Sequence, residues 1–256
     1  MPRQARQVSK TGIYHVIVRG INRQEIYHDD DDYERYLMTL HRIGRESQLE
    51  IMGYCLMSNH AHLLIKEGEV VVSHAMKRLG ASYAYWYNLK YEHSGHVFQD
   101  RFKSENVEDD AYLITVIRYI HRNPIKAGII SRAEDYRWSS AKEYYGSKIE
   151  VENTKTKLIL SLFADDTQVA KKNMRQHEME ENEDQCMEEV ERKRMTLERA
   201  KKIINEKMRG KPIGNLHKLS TEERNEIIRE IKGIEGISLR QVAMITGLTV
   251  YQVLKA

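Results

Sequence analysis

The chain has 256 residues, 41% hydrophobic and 31% charged, with a formal net charge of +3. That length suits one large domain, or one domain with a small companion, and the composition is globular, which excludes a disordered or fibrous chain. A charge of +3 does not by itself argue for nucleic acid. No apolar run approaches the roughly 18 residues of a membrane span, and no apolar signal core follows the basic start, so a cytoplasmic protein away from membranes is expected.

The elements follow in chain order. Ile13 to Arg19 is β-branched and aromatic, reads as a strand and is closed by Gly20. Asp29 to Asp32 open a helix to about Glu46, with apolar positions at Leu37, Leu40 and Ile43. A strand over 49–57, a two-residue turn at Ser58-Asn59 and a strand over 60–66 form a hairpin. A long helix runs over 70–91, with Ala75, Leu79 and Tyr83 on one stripe. An extended fourth strand is expected over 95–107. A helix over 109–123 follows, acidic at its start and stopped by Pro124. The order β-α-β-β-α-β plus a helix is the ferredoxin-like (RRM-like) α+β arrangement, a four-stranded antiparallel sheet with helices on one face. Its open face is a natural floor for a site.

From about residue 148 the texture changes to Met, Gln, Glu, Lys and Arg with few β-branched residues, and exposed helices or a helical linker over 148–214 are expected. Gly210 to Gly214 marks a boundary. Ser220 caps a helix to about Ile231. Ser238 can cap a helix with Val242, Ala243 and Ile245, Gly247 supplies a tight turn, and Thr249 caps a last short helix. Residues 215–256 thus fit an all-α helix-turn-helix DNA-binding domain, or a plain helical hairpin. The exposed candidates on the last helix are Thr249, Tyr251, Gln252 and Lys255.

Histidine is uneven. Nine of the eleven (15, 28, 41, 60, 62, 74, 93, 96 and 121) precede Gly146, which places the chemistry in the first half. The two cysteines, Cys55 and Cys186, form no CxxC pair, so no disulfide framework or cysteine zinc site is expected. His60 and His62 lie two apart on a strand and share a face with Leu64, opposite Leu63 and Ile65. Such a pair suits a divalent cation; it is equally compatible with two half-buried polar residues at a strand start. Tyr119 and Asn123 are i and i+4 on the later helix and share a face, with His121 and Arg122 turned away. Taken alone, that tyrosine reads as core and that asparagine as a helix stop. Gln99, Arg101 and Lys103 alternate and on a strand would share a face, toward a DNA backbone or toward solvent. The aromatic run at Tyr83 to Tyr87 reads as helix core in preference to a base-stacking platform.

Five stretches in order carry a family resemblance. They are Thr11-Gly-Ile-Tyr-His-Val-Ile-Val-Arg-Gly20, Met57-Ser-Asn-His-Ala-His-Leu-Leu64, Gly95-His-Val-Phe-Gln-Asp-Arg-Phe-Lys-Ser104, Tyr119-Ile-His-Arg-Asn-Pro124 and Tyr136-Arg-Trp-Ser-Ser140. With these, residues 8 to 146 resemble the single-tyrosine HUH transposases, most closely the REP-associated tyrosine transposase-like group. Family members usually carry proline where this chain has Ser58, a position that shapes the turn.

The resemblance implies a DNA transposase and endonuclease domain over 1–147 that cleaves and rejoins single-stranded or hairpin DNA. Tyr119 would be the nucleophile, giving a 5′-phosphotyrosine. His60, His62 and Asn123 would bind Mg²⁺ or Mn²⁺. Arg19, Gln99, Arg101, Lys103 and Arg122 would meet the DNA, and no small-molecule substrate is implied. A monomer or homodimer is expected. A phenol ordinarily titrates near about 10, so its deprotonation needs help. His121 is near in sequence but faces elsewhere. The alternatives are a domesticated DNA-binding regulator of the same fold without strand transfer, and a metal-dependent phosphodiesterase that forms no covalent link.

Overall fold

A computed structural model of the chain describes residues 7–145, 155–180, 186, 196–208, 213–234, 237 and 239–256. The chain divides into two compact units, 1–187 and 188–256.

The first unit is built on four strands, β1 (Ile13–Arg19), β2 (Glu50–Met57), β3 (His60–Lys66) and β4 (Lys103–Asn106). They form one sheet in the order β2-β3-β1-β4 with every neighbouring pair antiparallel, the ferredoxin-like order expected. β2 and β3 are joined by the two-residue turn at Ser58 and Asn59, which the chain after β1 anchors. Gly20 donates to the Asn59 carbonyl at 2.9 Å, and Ile26 and Tyr27 both donate to the Ser58 carbonyl, at 2.7 and 3.0 Å.

The two faces of the sheet serve different helices. Helices α1 (Asp30–Ser47) and α2 (Val72–Lys90) cover one face, where Tyr14, Val16, Val18, Leu56, Leu63 and Ile65 meet Tyr36, Leu40, Leu79 and Tyr83. Asp29 caps α1 with a reciprocal capping box to Asp32. Tyr83 and Tyr87 are buried, and the Tyr83 hydroxyl donates to the Ile26 carbonyl at 2.5 Å, so these two tyrosines of the aromatic run are core, while Tyr85 is 75% exposed.

Helix α3 (Asp110–Lys126) lies on the opposite face, where Leu113, Val116, Ile117 and Ile120 pack against Ile13, Cys55, Met57 and Leu64. Helix α3 runs through Pro124 rather than stopping there. Proline falls in the last turn, where its missing N–H costs one bond, and Gly128 at φ +71° makes the actual exit. The Trp138 carbonyl and Ser140 N–H pair with Leu56 and Tyr54 at 2.9 Å along the outer edge of β2, covering an edge that would otherwise offer unpaired backbone groups.

The fourth strand is shorter than the extended 95–107 run expected. Only Lys103 to Asn106 ladder with β1. Upstream, Gly95 turns at φ +113°, Phe98 makes a single bridge to Gly20, and Asp100 Oδ1 accepts from Arg101 N–H at 2.8 Å, which diverts the chain out of the ladder.

After α4 (Ala141–Tyr145) the described part of the expected spacer is not wholly exposed. In α5 (Lys157–Ser161) and α6 (Thr167–Met179), Ile159, Leu160, Ala170 and Met174 are buried in the same cluster as α3. The four-residue spacing of Ala170 and Met174 had been masked by the charged residues between them. Cys55 and Cys186 are buried and not joined by a disulfide.

The second unit contains α7 (Leu197–Lys207), α8 (Thr221–Lys232), α9 (Leu239–Thr246) and α10 (Val250–Lys255) around Ile204, Leu216, Ile228, Ile231, Val242, Ala243, Leu248 and Val253. Gly247 turns between α9 and α10 at φ +73°. Ser238 and residues 210–212 of the expected boundary lie outside the described residues.

Two outcomes follow from this packing. A methyl on Gly53 would lie 2.4 Å from Cδ1 of Ile117, so Gly53→Ala is expected to lose about 1–3 kcal/mol in urea unfolding, the usual cost of overpacking. Burial holds the Glu178 carboxyl at about 7, against an ordinary 4.5. The folded state therefore keeps the proton where the unfolded state has lost it, and stability falls as pH rises from about 4.5 through about 7. Glu178→Gln is expected to flatten that part of the stability–pH curve, by at most about 1.4 kcal/mol per pH unit.

Candidate active site

Strand pairing assembles the site. On β3, His60 and His62 sit opposite Arg19 and Ile17 of β1. Alternation keeps them on one face with Leu64, while Leu63 and Ile65 enter the core beneath α1 and α2. The His60 and His62 rings stand edge to face, with centroids 5.0 Å apart. Helix α3 crosses this face, and the Tyr119 ring stands 5.5 Å from His62 and 6.0 Å from His15. The tyrosine and both histidines of the motif are thus brought together by two elements more than fifty residues apart in sequence.

The ring nitrogens are already partly committed. His60 Nδ1 lies 2.6 Å from Asn59 Oδ1, and His62 Nδ1 lies 3.0 Å from His15 Nε2. Burial, followed by the neighbouring His15, His60 and Arg19, holds the His62 pKa well below the ordinary histidine value, so this ring is neutral and can act as a ligand. Asn123 Nδ2 donates to the Tyr119 carbonyl at 3.2 Å, so only its amide oxygen could serve as a ligand. Among the described residues no three His, Cys, Asp or Glu side chains form a ligand cluster. A cation at the two imidazoles therefore needs a third protein ligand of another kind. A donor set of two imidazoles and one amide oxygen would fit a divalent cation. The Lys126 ammonium stands 4.8 Å from the centre of the Tyr119 ring and adds positive charge there.

Other expected residues fall differently. Arg19 and Lys103 project on the histidine face, opposite His60 and Ile17 respectively. Gln99 and Arg101 are exposed, but they precede β4 in irregular chain, so the shared-face argument reaches Lys103 alone. Arg122 is turned away from the tyrosine, as its helical position requires. Its Nη1 donates to the Glu178 carbonyl, while Arg118 Nη1 donates to the His177 carbonyl at 3.1 Å. Two arginines of α3 thereby cap the C-terminal end of α6. His121 is buried, with Nε2 3.0 Å from Ser140 Oγ, and burial lowers its pKa to about 3, so it is a core residue. In the second unit, Thr249 and Gln252 are tied to each other in a capping box, and Lys255 is exposed. The Tyr251 side chain lies outside the described residues.

Sequence reasoning missed His15. It is fully buried on the histidine face and touches both His62 and Tyr119. Its alternation with Ile13 and Ile17 was a readable signal, but the register between β1 and β3 that gives it meaning was not.

Comparison with known proteins bears on this geometry. Residues 8–123 match the family described as "Transposase IS200 like". Among solved structures, a REP-associated tyrosine transposase bound to a REP hairpin aligns with a TM-score of 0.50 and 19% identity, over 60% of this chain and 90% of that one. A candidate transposase from Deinococcus radiodurans R1 aligns with a TM-score of 0.34 and 18% identity, over 47% of this chain and 96% of that one. No curated protein matches. The likeness of fold rests on the first of these structures.

Arg122→Met separates a capping role from a DNA role. It is expected to lower the unfolding free energy by about 1.5–3 kcal/mol, the range for hydrogen bonds from charged groups. The salt dependence of DNA binding should stay unchanged; a slope reduced by about one with full stability would instead mark a phosphate contact.

Proposed function

We propose, from the match of residues 8–123 to the IS200-like transposase family, that this chain cleaves and rejoins single-stranded or hairpin DNA, with a divalent metal, through a 5′-phosphotyrosine. The observation that carries the reading is that the Tyr119 ring stands 5.5 Å from His62, whose ring stands 5.0 Å from that of His60 on the same face of the sheet.

Tyr119 is the nucleophile. Its phenol oxygen bonds to phosphorus as the bond to the 3′ oxygen breaks; the phenol loses its proton, and the 3′ oxygen leaves as a hydroxyl. One phosphate ester replaces another, so attack by a 3′-hydroxyl reseals the strand without a nucleotide cofactor. His60 and His62 hold Mg²⁺ or Mn²⁺ through Nε2, with Asn123 Oδ1 as the third ligand. The bound ion supplies Lewis-acid stabilisation of the charge on the phosphate. Two imidazole nitrogens favour Mn²⁺ in an assay, since Mg²⁺ prefers oxygen donors. Lys126 offers a further positive charge beside the tyrosine.

Arg19 and Lys103, on the same face of the sheet, contact the DNA backbone, with Gln99 and Arg101 from the adjoining loop. A hairpin suits this arrangement because it presents paired shape beside unstacked bases. The REP hairpin bound by the structural neighbour supports that choice. In the second unit, α9, the Gly247 turn and α10 are read as a helix-turn-helix within 215–256 that helps select the target. Its last helix offers Lys255, which is exposed, to the DNA.

The test is incubation of the full chain with labelled hairpin DNA and Mn²⁺. The expected product is a denaturant-stable protein–DNA adduct that Tyr119→Phe abolishes together with cleavage. Cleavage that survives in Tyr119→Phe would mean hydrolysis without a covalent link. A wild-type protein that forms no adduct across varied hairpins would sink the reading.

A further inference from the structure

Strand β1 carries a fully buried histidine that the mechanism above does not use. His15 is 0% exposed, and a buried imidazole needs partners for both nitrogens. It has them. Nδ1 lies 2.7 Å from Glu105 Oε1, and Nε2 lies 3.0 Å from Nδ1 of His62. The two rings stack with centroids 5.3 Å apart and planes 25° from parallel. The geometry comes from the ladder, since His15 faces Glu105 across β4 while its neighbour Ile17 faces His62 across β3. Glu105 is held in its turn by a hydrogen bond with Tyr112 of α3.

Donor and acceptor bookkeeping gives this chain of contacts a direction. An ionised carboxylate only accepts, so His15 Nδ1 carries a hydrogen. In its neutral form the ring carries that one N–H, and His15 Nε2 then accepts. His62 Nδ1 must then donate, and the His62 lone pair lies on Nε2. His60 reaches the same end by a local route, because Asn59 Oδ1 accepts from its Nδ1 at 2.6 Å.

We propose that Glu105 and His15 are positioning residues, a buried relay that fixes the tautomer and ring orientation of His62 so that Nε2 faces the metal. This rests on the metal reading above and extends it to residues outside the ligand set. Such outer partners of a histidine ligand are generally worth about 10–100-fold in metal affinity.

The test uses the full chain without DNA. Mn²⁺ binding is followed by the electron paramagnetic resonance signal of the free ion, and histidine tautomers of the metal-free protein by long-range ¹H–¹⁵N NMR at pH 8. The expected wild-type result is an Nδ1–H tautomer at both His15 and His62. His15→Leu should weaken Mn²⁺ binding by about 10–100-fold and release His62 into mixed tautomers. His15→Gln, whose amide oxygen can accept from His62, should recover most of the affinity, which a merely space-filling role would not predict. Unchanged Mn²⁺ affinity in a folded His15→Leu protein overturns the relay, as does an Nε2–H tautomer at His62 in the wild type. If His15→Leu does not fold, Glu105→Gln on the sheet edge decides. It keeps an acceptor oxygen and loses the charge, and a His62 tautomer and affinity identical to wild type count against the relay. A wild-type protein that binds no Mn²⁺ overturns the metal reading beneath it, while the tautomers still test the hydrogen-bond chain by themselves.

Discussion

Ile117 of α3 sets its Cδ1 against Gly53 in β2, and with Leu113, Val116 and Ile120 it seats α3 on the sheet. A methyl on Gly53 would lie 2.4 Å from that Cδ1, so the Ile117 side chain would have to shift. The rest of the site depends on the resulting height. Two residues beyond Ile117, Tyr119 comes within ring contact of His62 and His15, and Asn123 follows one turn later on the same side. A helix held further from the sheet would bury the same apolar surface less well and would leave the tyrosine out of reach of the histidines.

Helix α3 serves three neighbours at once, and its 3.6-residue repeat keeps the tasks apart. Tyr119 and Asn123 face the site. Ile117, Ile120 and His121 enter the core, where His121 is satisfied by Ser140. Arg118 and Arg122 reach the last carbonyls of α6. The arginines therefore connect the region after residue 155 to the helix that carries the tyrosine. That connection gives α5 and α6 a structural part in the first unit that their polar composition had concealed.

Desolvation decides the character of the histidines. His62 and His121 are both buried and both held neutral, yet they do different work. His121 meets a hydroxyl and closes a core. His62 meets another imidazole, and that imidazole meets a carboxylate. A ring whose second nitrogen is tied to such a chain is oriented before any ion arrives, so little has to be reorganised on binding.

Much of the fold was legible in the sequence. The strand and helix order, the two-residue turn and the shared face of His60, His62 and Leu64 all follow from alternation and helical periodicity, which are local properties of the chain. The motif spacing likewise pointed to the family and to Tyr119. Local reasoning failed where a neighbour overrode it. The fourth strand ladders with β1 only over Lys103 to Asn106, with a single bridge upstream from Phe98 to Gly20, Pro124 is tolerated because it falls in a final turn, and α6 is buried because α3 supplies the surface. The place of His15 beside His62 was likewise beyond the sequence, because strand register is set by packing between segments far apart in the chain, and no residue announces its partner across a sheet. The sequence alone determined which residues could do the chemistry; only tertiary packing decided which of them meet, because contact between distant segments depends on the whole core being filled at once.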